Sequence, residues 1–478
     1  MIERDTRKIS VSKETLLNLG AKIIQAVFGF GGIILFTRMV GSEGIGKYRT
    51  VTAAAFIITI FSRSFGGTIK KRISEVDTDS SEYLTLALII HGGLTIVAIG
   101  GLFTVKKWAV NYFGSLRLVV GLIIIVASLG LFHILTSYQA GIGYPARSTW
   151  LDTLRSVLTL LAQVLLIALG YQALGIVLGL GFATLVTSVV ILLLLRPTIS
   201  IPSLETVRRT YTFARYRIPS NFVEKLYQSA DPLLIKTFSG VDSVGFYTVA
   251  SQIVMPGSLF SNSISNALSV KSSGVASAGG SVQDDLTNSL AYCGLVSIPI
   301  FFGTLALPDA IIQMDIFGKT YTKAPGGILI FMAAFQVINT FEHPYQAVIN
   351  GSDRPDVIFR SSTGVLITYL IFSVALGYFY GVFGVIAGTV LSEILRLGYY
   401  QIIVTKWFES FVFPRPAKDQ IVSGLVMFIG VELVSIRVDT ENMIPLIMII
   451  LLGAIIYFLT LLTISSHFRS TIHRTIYD

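Results

Sequence analysis

Long apolar runs, each bounded by charged residues, glycine or proline, follow one another along almost the whole chain. A helix needs roughly 20 apolar residues to cross the hydrocarbon core of a bilayer, and the runs are about that long. The pattern therefore predicts about fourteen membrane-spanning helices, which we number spans 1 to 14. The spans cover approximately residues 16–37, 50–68, 83–104, 117–140, 149–170, 174–195, 213–238, 244–268, 286–308, 322–348, 361–380, 382–404, 419–436 and 443–464.

Composition favours an all-α polytopic membrane protein. Hydrophobic residues make up 53% of the 478 residues, and charged residues only 13%, whereas a soluble domain carries about 25%. The first 15 residues are polar, so no cleaved signal peptide is expected. Cys293 is the one cysteine, which excludes an intramolecular disulfide and a Cys/His metal site. Nucleotide-binding and hydrolase motifs are also missing from the sequence, so neither a cofactor nor an enzymatic activity is predicted.

The net charge of +9 reflects membrane topology rather than nucleic-acid binding, because lysine and arginine lie in short loops between apolar runs. If the N-terminus is cytoplasmic, the inside loops hold a clear excess of these residues, including Lys70, Lys71, Arg208 and Arg209. The positive-inside rule then places both termini in the cytoplasm, in a multi-pass protein of the cell membrane.

Three short matches recur in the same order at offsets of about 200 residues, which indicates a duplicated bundle. The first lies after spans 1 and 7, the second ends spans 4 and 10, and the third precedes spans 6 and 12. They pair Gly41, Gly46 and Tyr48 with Gly240, Gly245 and Tyr247; Tyr138-Gln139-Ala140 with Tyr345-Gln346-Ala347; and Ala168-Leu169-Gly170-Tyr171 with Ala375-Leu376-Gly377-Tyr378. The glycines are expected to supply positive φ in turns, and the tyrosines to anchor helices at the interface.

Six spans per half is an even number, so the two halves share one orientation, as in parallel-repeat transporters. The expected domains are an N-lobe at 1–195, a basic cytoplasmic linker at 196–212, a C-lobe at 213–404, and a terminal helix pair with its tail at 405–478. Such lobes bind substrate near the membrane midplane and work by alternating access.

The repeated turn resembles the polysaccharide transport branch of the multidrug/oligosaccharidyl-lipid/polysaccharide flippase superfamily. That branch includes Wzx-like O-antigen flippases and archaeal counterparts, and its turn is seen here as TRMVGSEGIGKY at residues 37–48. The resemblance covers spans 1 to 12, and the last pair fits the family's usual fourteen. It implies export of an isoprenoid-phosphate-linked oligosaccharide from the cytoplasmic to the outer leaflet.

Charged residues inside apolar spans are the candidate substrate contacts, because each costs about 2.5 to 3.5 kcal/mol at the bilayer centre unless it faces a cavity or a partner. The primary candidates lie on spans 1, 2 and 7, which are expected to line the cavity in this family. They are Lys22, Arg63, Glu224, Lys225 and Asp231. The cations suit a phosphate. Snorkelling or local ion pairing is the structural alternative.

Secondary candidates are Gln25, Arg155, Glu342, Glu393 and Arg396. Arg155 with Asp152, and Arg396 with Glu393, have i, i+3 spacing, which favours mutual neutralisation on one helix face. Span 7 also carries Pro219 and Pro232, which either kink a moving helix or, for Pro219, merely start it.

Three other functions remain open at this stage. A drug/cation antiporter would need an acidic site, whereas span 1 has Lys22 and no acid. A membrane glycosyltransferase would need acidic residues in a sizeable outer loop, and the outer loops are short. A scramblase without a coupled ion is compatible with the pattern. For a flippase, the expected partners are membrane lipids, the lipid-linked oligosaccharide and a coupling ion, H⁺ or Na⁺, and the protein is expected to be monomeric.

Overall fold

The computed structural model describes residues 11–74, 79–277, 281–352, 354–408, 415–438, 440 and 442–470. Every regular element in these ranges is helical, which confirms the predicted all-α class. The first helices are α1 (Val11–Ile58), α2 (Ile60–Ile73), α3 (Ser80–Thr104), α4 (Lys106–Phe113), α5 (Leu116–Gly141), α6 (Pro145–Ala168) and α7 (Gln172–Leu195). The later ones are α8 (Leu204–Val254), α9 (Pro256–Ser277), α10 (Gln283–Ala306), α11 (Pro308–Ile312), α12 (Gly327–Gly351), α13 (Pro355–Phe408), α14 (Arg415–Ser435) and α15 (Met443–Ile464).

Local capping signals explain several helix boundaries. Asp79 accepts a 2.9 Å hydrogen bond from the backbone N–H of Ser81 and so caps α3. Ser115 caps α5 in the same way. Pro145 occupies the first turn of α6, where its missing N–H costs nothing. These ends agree within a few residues with predicted spans 3, 4 and 5.

Glycines in the left-handed region interrupt three of the longest helices. Gly41 has φ 66° inside α1, Gly240 has φ 81° inside α8, and Gly381 has φ 59° inside α13. Positive φ was predicted for Gly41 and Gly240, and this is confirmed. For Gly46 and Gly245 the same prediction is wrong, because both have helical backbone. The duplicated turn therefore needs one permissive residue per copy.

Seven of the described helices are long and apolar enough to cross a membrane, and the pair Phe28–Ile58 and Ile60–Ile73, bent by 49°, would make an eighth. A multi-pass membrane protein is thereby confirmed. Helix α13 is interrupted at Gly381 but contributes one helix to this total, although predicted spans 11 and 12 both fall on it. The figure of about fourteen spans stays a prediction.

The chain divides into two compact units, and the boundary along the sequence falls between Leu233 and Leu234, within α8. The first part of α8 therefore packs with the N-terminal helices. Since α8 begins at Leu204, part of the predicted linker 196–212 is helical, and Pro219 lies inside the helix rather than at its start. The four-part domain division itself stays a prediction.

Candidate functional site

Side-chain contacts between α2 and the first part of α8 bring two predicted site residues to the same region of the first unit. Asn221 donates a 3.1 Å hydrogen bond to the Ser64 hydroxyl, and the rings of Phe61 and Phe222 lie 5.8 Å apart. These contacts flank Arg63 on α2 and precede Lys225 by one turn of α8.

Three cations gather here, which we call the basic cluster: Arg49, Arg63 and Lys225. Arg49 and Arg63 both lie within electrostatic range of the Lys225 ammonium, as does the carboxylate of Glu224. Among the described residues none of the three cations forms a salt bridge. The cluster therefore holds more positive charge than nearby acids neutralise.

Lys225 and Arg49 are only half-exposed. The Lys225 Nζ lies 5.1 Å from the centroid of the Phe56 ring, a distance that suits a cation–π contact. The Nε of Arg49 is buried and meets no hydrogen-bond acceptor in the described part of the chain. The described residues thus leave hydrogen-bonding capacity of the Arg49 guanidinium unused.

A second charged group in the first unit is a neutralised pair, as predicted. Arg155 donates to Asp152 Oδ1 from Nε at 2.9 Å and from Nη2 at 2.8 Å. Gln25 on α1 donates to the other carboxylate oxygen of Asp152 at 3.2 Å and to the Thr153 hydroxyl at 3.1 Å. Gln25 and Arg155, both secondary candidates, are thus joined through one aspartate.

His133 on α5 connects the two groups. Arg63, Lys225, Arg155 and Asp152 all lie within its electrostatic range. In the structure it stands among four charged side chains from α2, α6 and α8, so the basic cluster and the neutralised pair belong to one polar region of the first unit.

Arg49 is the residue of the basic cluster that was not among the predicted candidates, because its position falls in the loop between predicted spans 1 and 2. Charged residues near Arg49 lower the hydropathy of this segment. For this reason span 2 was predicted to begin only at residue 50. In the structure the second segment of α1 begins directly after Gly41, so Arg49 lies two turns inside a helix. The positive-φ glycine of the repeat was the signal that could have located it.

The remaining primary candidates are Lys22, Glu224 and Asp231, and they do not share one environment. The side chain of Lys22 lies outside the described residues. Glu224 is exposed and accepts a 3.1 Å hydrogen bond from Gln228, one turn further along α8. Asp231 is buried, with an exposed fraction of 8%.

The secondary candidates of the second unit meet in a different arrangement. Arg396 contacts Glu393 on its own helix α13 and Glu342 on α12, each through a 2.6 Å Nη2–Oε2 contact. The predicted pairing of Glu393 with Arg396 is confirmed, while Glu342 adds a second acid that sequence spacing could not connect. Both carboxylates are buried, with exposed fractions of 1% for Glu342 and 0% for Glu393.

The chemistry that these groups allow includes the binding of anionic and hydroxyl groups. Guanidinium and ammonium groups with unused donors bind phosphate oxygens, and neighbouring amides can accept or donate to sugar hydroxyls. The first unit thus presents surplus positive charge.

Comparison with known proteins gives one family match and full-length relatives. Residues 11–270 match the family model of polysaccharide biosynthesis protein. The chain is 22% identical over 479 residues to the probable flippase AglR of Haloferax volcanii, covering 97% of this chain and 98% of that protein. It is 25% identical over 450 residues to the probable low-salt glycan biosynthesis flippase Agl15 of the same organism, covering 91% and 92%.

A solved structure shares the fold over nearly the whole chain. The lipid II flippase MurJ in an inward closed conformation superposes with a TM-score of 0.78 at 16% sequence identity, covering 97% of this chain and 100% of that one. At this identity the likeness concerns the arrangement of helices and carries no assignment of individual residues.

Proposed function

Because the chain belongs to the polysaccharide biosynthesis protein family, we propose that it is a flippase that exports an isoprenoid-phosphate-linked oligosaccharide from the cytoplasmic to the outer leaflet. The relatives that match over their full length are named as probable flippases. Their names describe translocation and not catalysis, so the protein is a transporter in this proposal, and it serves polysaccharide or glycoprotein glycan assembly.

The basic cluster is the observation that supports this function. Arg49, Arg63 and Lys225 come from α1, α2 and α8, and no salt bridge within the described residues neutralises them. Like charges repel, so gathering them costs stability unless an anion is bound. A phosphate with charge near −1 to −2 meets that requirement, with two parallel hydrogen bonds available from each arginine.

The polar groups around the neutralised pair suit the sugar. Asp152, Arg155 and Gln25 form a connected set of donors and acceptors in the same unit. Carbohydrate hydroxyls are both donors and acceptors, so a mixed set of this kind can bind them without a net charge. In the proposal, the phosphate lies at the basic cluster and the first sugars lie toward Asp152.

The same charges argue against the antiporter alternative. A transporter of cationic drugs needs surplus acid where its substrate binds, whereas the described polar region of the first unit contains more cations than acids. Alternating access through movement of one half against the other remains the proposed mechanism, since the duplicated sequence provides two equivalent bundles. We further propose a location in the cell membrane with both termini cytoplasmic, on the basis of the charge pattern of the loops.

The proposed function is tested by deleting the gene and following the lipid-linked precursor. Surface glycan should be lost while the isoprenoid-phosphate-linked oligosaccharide accumulates in its cytoplasmic-leaflet form, and the wild-type gene should restore both. A fall in the precursor would instead indicate a biosynthetic enzyme and would refute the proposal.

Complementation with site variants connects the phenotype to the basic cluster. Arg49→Gln combined with Arg63→Gln should fail to restore surface glycan at normal protein abundance. Lys107→Gln removes an exposed cation of α4 in the same unit and serves as the matched control, which should complement fully. Equal behaviour of the two variants would mean that net charge, and not this cluster, matters.

A further inference from the structure

Helix α9 is polar although it is long enough to cross a bilayer. Its 22 residues overlap predicted span 8, and serine and asparagine recur along them. It is absent from the described helices that are apolar enough to count as membrane spans. An amide that is buried without a hydrogen-bonding partner is costly, so a polar helix of this kind needs water or a ligand along part of its surface.

Contacts with α10 and α12 fix which side of α9 is buried. Ser261 is fully buried and donates a 2.7 Å hydrogen bond to the backbone carbonyl of Thr340 on α12. One turn earlier, a Cβ on Gly257 would lie 3.0 Å from the Ser297 Cβ on α10 and 3.2 Å from the Gln336 Cγ on α12. So close an approach holds the rotation of α9 about its own axis, and packing within the second unit therefore sets its outer face.

The outer face of α9 carries two asparagine side chains one turn apart. Asn262 and Asn266 are both exposed, and neither forms a hydrogen bond with another described residue. Residues at i and i+4 on a helix have Cβ atoms about 5 to 6 Å apart, so one ligand can contact both amides. Ser263 is exposed beside them, and its hydroxyl oxygen can still accept a hydrogen bond while it donates to the Leu259 carbonyl at 3.1 Å.

A groove of about 350 Å³ continues this face between α9 and α10, and its volume is that of a small-ligand site. Helix α9 contributes the apolar side chains of Ile264, Ala267 and Leu268, and α10 contributes Asn288, Ser289 and Tyr292. Since Ala267 directly follows Asn266, the groove and the outer face are contiguous. Neither Asn288 nor Ser289 forms a side-chain hydrogen bond in the described part of the chain, so their polar groups are open to a ligand.

The charges that line this α9–α10 groove are paired with each other. Among the described lining residues the charged ones are Lys271 and Asp285, whose Nζ and Oδ1 atoms lie 2.6 Å apart. A paired charge attracts a charged ligand less than an unpaired one does. The amides and hydroxyls both donate and accept, as the hydroxyl groups of a sugar do. Leu268 and the Tyr292 ring offer apolar surface for the C–H face of a sugar ring.

We propose that the outer face of α9 and the adjoining α9–α10 groove form an uncharged saccharide-binding site. Its hydrogen-bonding groups are the amides of Asn262, Asn266 and Asn288 and the hydroxyl of Ser289. The site binds sugars of the exported oligosaccharide other than those proposed to lie near Asp152, an assignment that rests on the proposed function. A phospholipid headgroup fits less well, because its phosphate meets no unpaired cation among the described lining residues.

Affinities for two probes separate the contribution of the saccharide from that of the phosphate. The probes are the isoprenoid-phosphate-linked oligosaccharide extracted from cells and the bare isoprenoid phosphate, each titrated against the full-length protein in lipid nanodiscs. The wild type should bind the glycosylated probe more tightly. Asn262→Ala and Asn266→Ala should each reduce this advantage about 2- to 10-fold, as expected for one lost neutral hydrogen bond, while affinity for the bare isoprenoid phosphate stays unchanged.

Asn288→Ala on α10 is an independent variant, so that a folding defect in α9 does not decide the outcome, and thermal unfolding identifies such a defect. Asn350→Ala removes an exposed asparagine of α12 in the same unit and should leave both affinities at their wild-type values. An advantage that persists undiminished in the folded Asn262→Ala, Asn266→Ala and Asn288→Ala variants overturns the site. Added NaCl should weaken phosphate binding and not the saccharide advantage, and a salt-sensitive advantage would overturn its uncharged character.

Carbene footprinting of the same nanodiscs locates the contact. The glycosylated probe should protect peptides that cover residues 259–271 and 285–292 from labelling. Equal protection by the bare isoprenoid phosphate would show that a lipid headgroup fills the groove and would overturn the saccharide assignment. Equal wild-type affinities for the two probes would also overturn the site while leaving the proposed function intact. Failure of the wild type to bind either probe would count against the proposed function and against this site with it.

Discussion

Replacing Lys225 by glutamine removes one charge of the basic cluster while nearly preserving the shape of the side chain. A hydrogen bond to a charged group contributes about 1.5 to 3 kcal/mol, so the variant should bind an isoprenoid phosphate about 10- to 150-fold more weakly. The Phe56 contact of Lys225 is present with and without ligand and largely cancels in this difference. Protein stability should not fall, because Arg49 and Arg63 lose a repelling neighbour.

Calorimetric titration of the full-length protein in lipid nanodiscs measures the effect. An isoprenoid phosphate is the probe, and the matching uncharged isoprenol is the control ligand, whose affinity should be the same for wild type and Lys225→Gln. Glu224→Gln provides the opposite test, since it removes the acid in range of Lys225 and should tighten phosphate binding a few-fold. Lys225→Arg should retain most of the affinity.

Two results would refute this reasoning. The first is unchanged phosphate affinity in Lys225→Gln, and the second is an equal loss for the isoprenol, which would indicate a packing defect. A double variant with Asp231→Asn separates the ion-pair explanation. Glu224 is an acid in electrostatic range of Lys225, so the double variant should bind phosphate as weakly as Lys225→Gln. Recovery of binding would show that Lys225 only neutralises Asp231.

Gly381→Ala should destabilise the protein by about 1 to 3 kcal/mol, because φ 59° with ψ −133° is a glycine conformation and the new Cβ would lie 2.5 Å from a serine hydroxyl. The control is Gly364→Ala on the same helix, where the new Cβ would enter open space, so this variant should unfold at the wild-type temperature or slightly above it. Equal melting temperatures of the two variants would contradict the strain argument. Thiol labelling of intact cells tests topology in a Cys293→Ala background: Thr322→Cys should react from outside and Thr212→Cys only after permeabilisation. The reverse pattern would overturn the proposed orientation.

Periodicity and repeats in the sequence located most of the helices. Span 14, predicted at 443–464, coincides with α15, and the break predicted between spans 11 and 12 falls on Gly381. The repeated Tyr138 and Tyr345 occupy buried positions near the ends of α5 and α12, so this match corresponds to equivalent places in the two units. Hydropathy and glycine placement are local properties, which is why the chain order of residues was sufficient for them.

Local spacing also predicted both neutralised pairs. Asp152 with Arg155, and Glu393 with Arg396, are one helical turn apart, and a helix brings such residues onto one face whatever surrounds it. Arg49 was misplaced because charges nearby lowered the hydropathy of its segment. Helix start positions depend on the backbone break at Gly41, which hydropathy does not measure.

The sequence by itself determined the membrane class and the charged residues worth attention, because each follows from composition or from spacing along one helix. Tertiary structure decided which charges meet. It brought Arg49 and Arg63 to Lys225 across about 170 residues of chain, joined Gln25 to Asp152, and placed Glu342 against an arginine already paired with Glu393. Electrostatic energy depends on distances of a few ångströms between side chains, and only the packing of helices sets those distances.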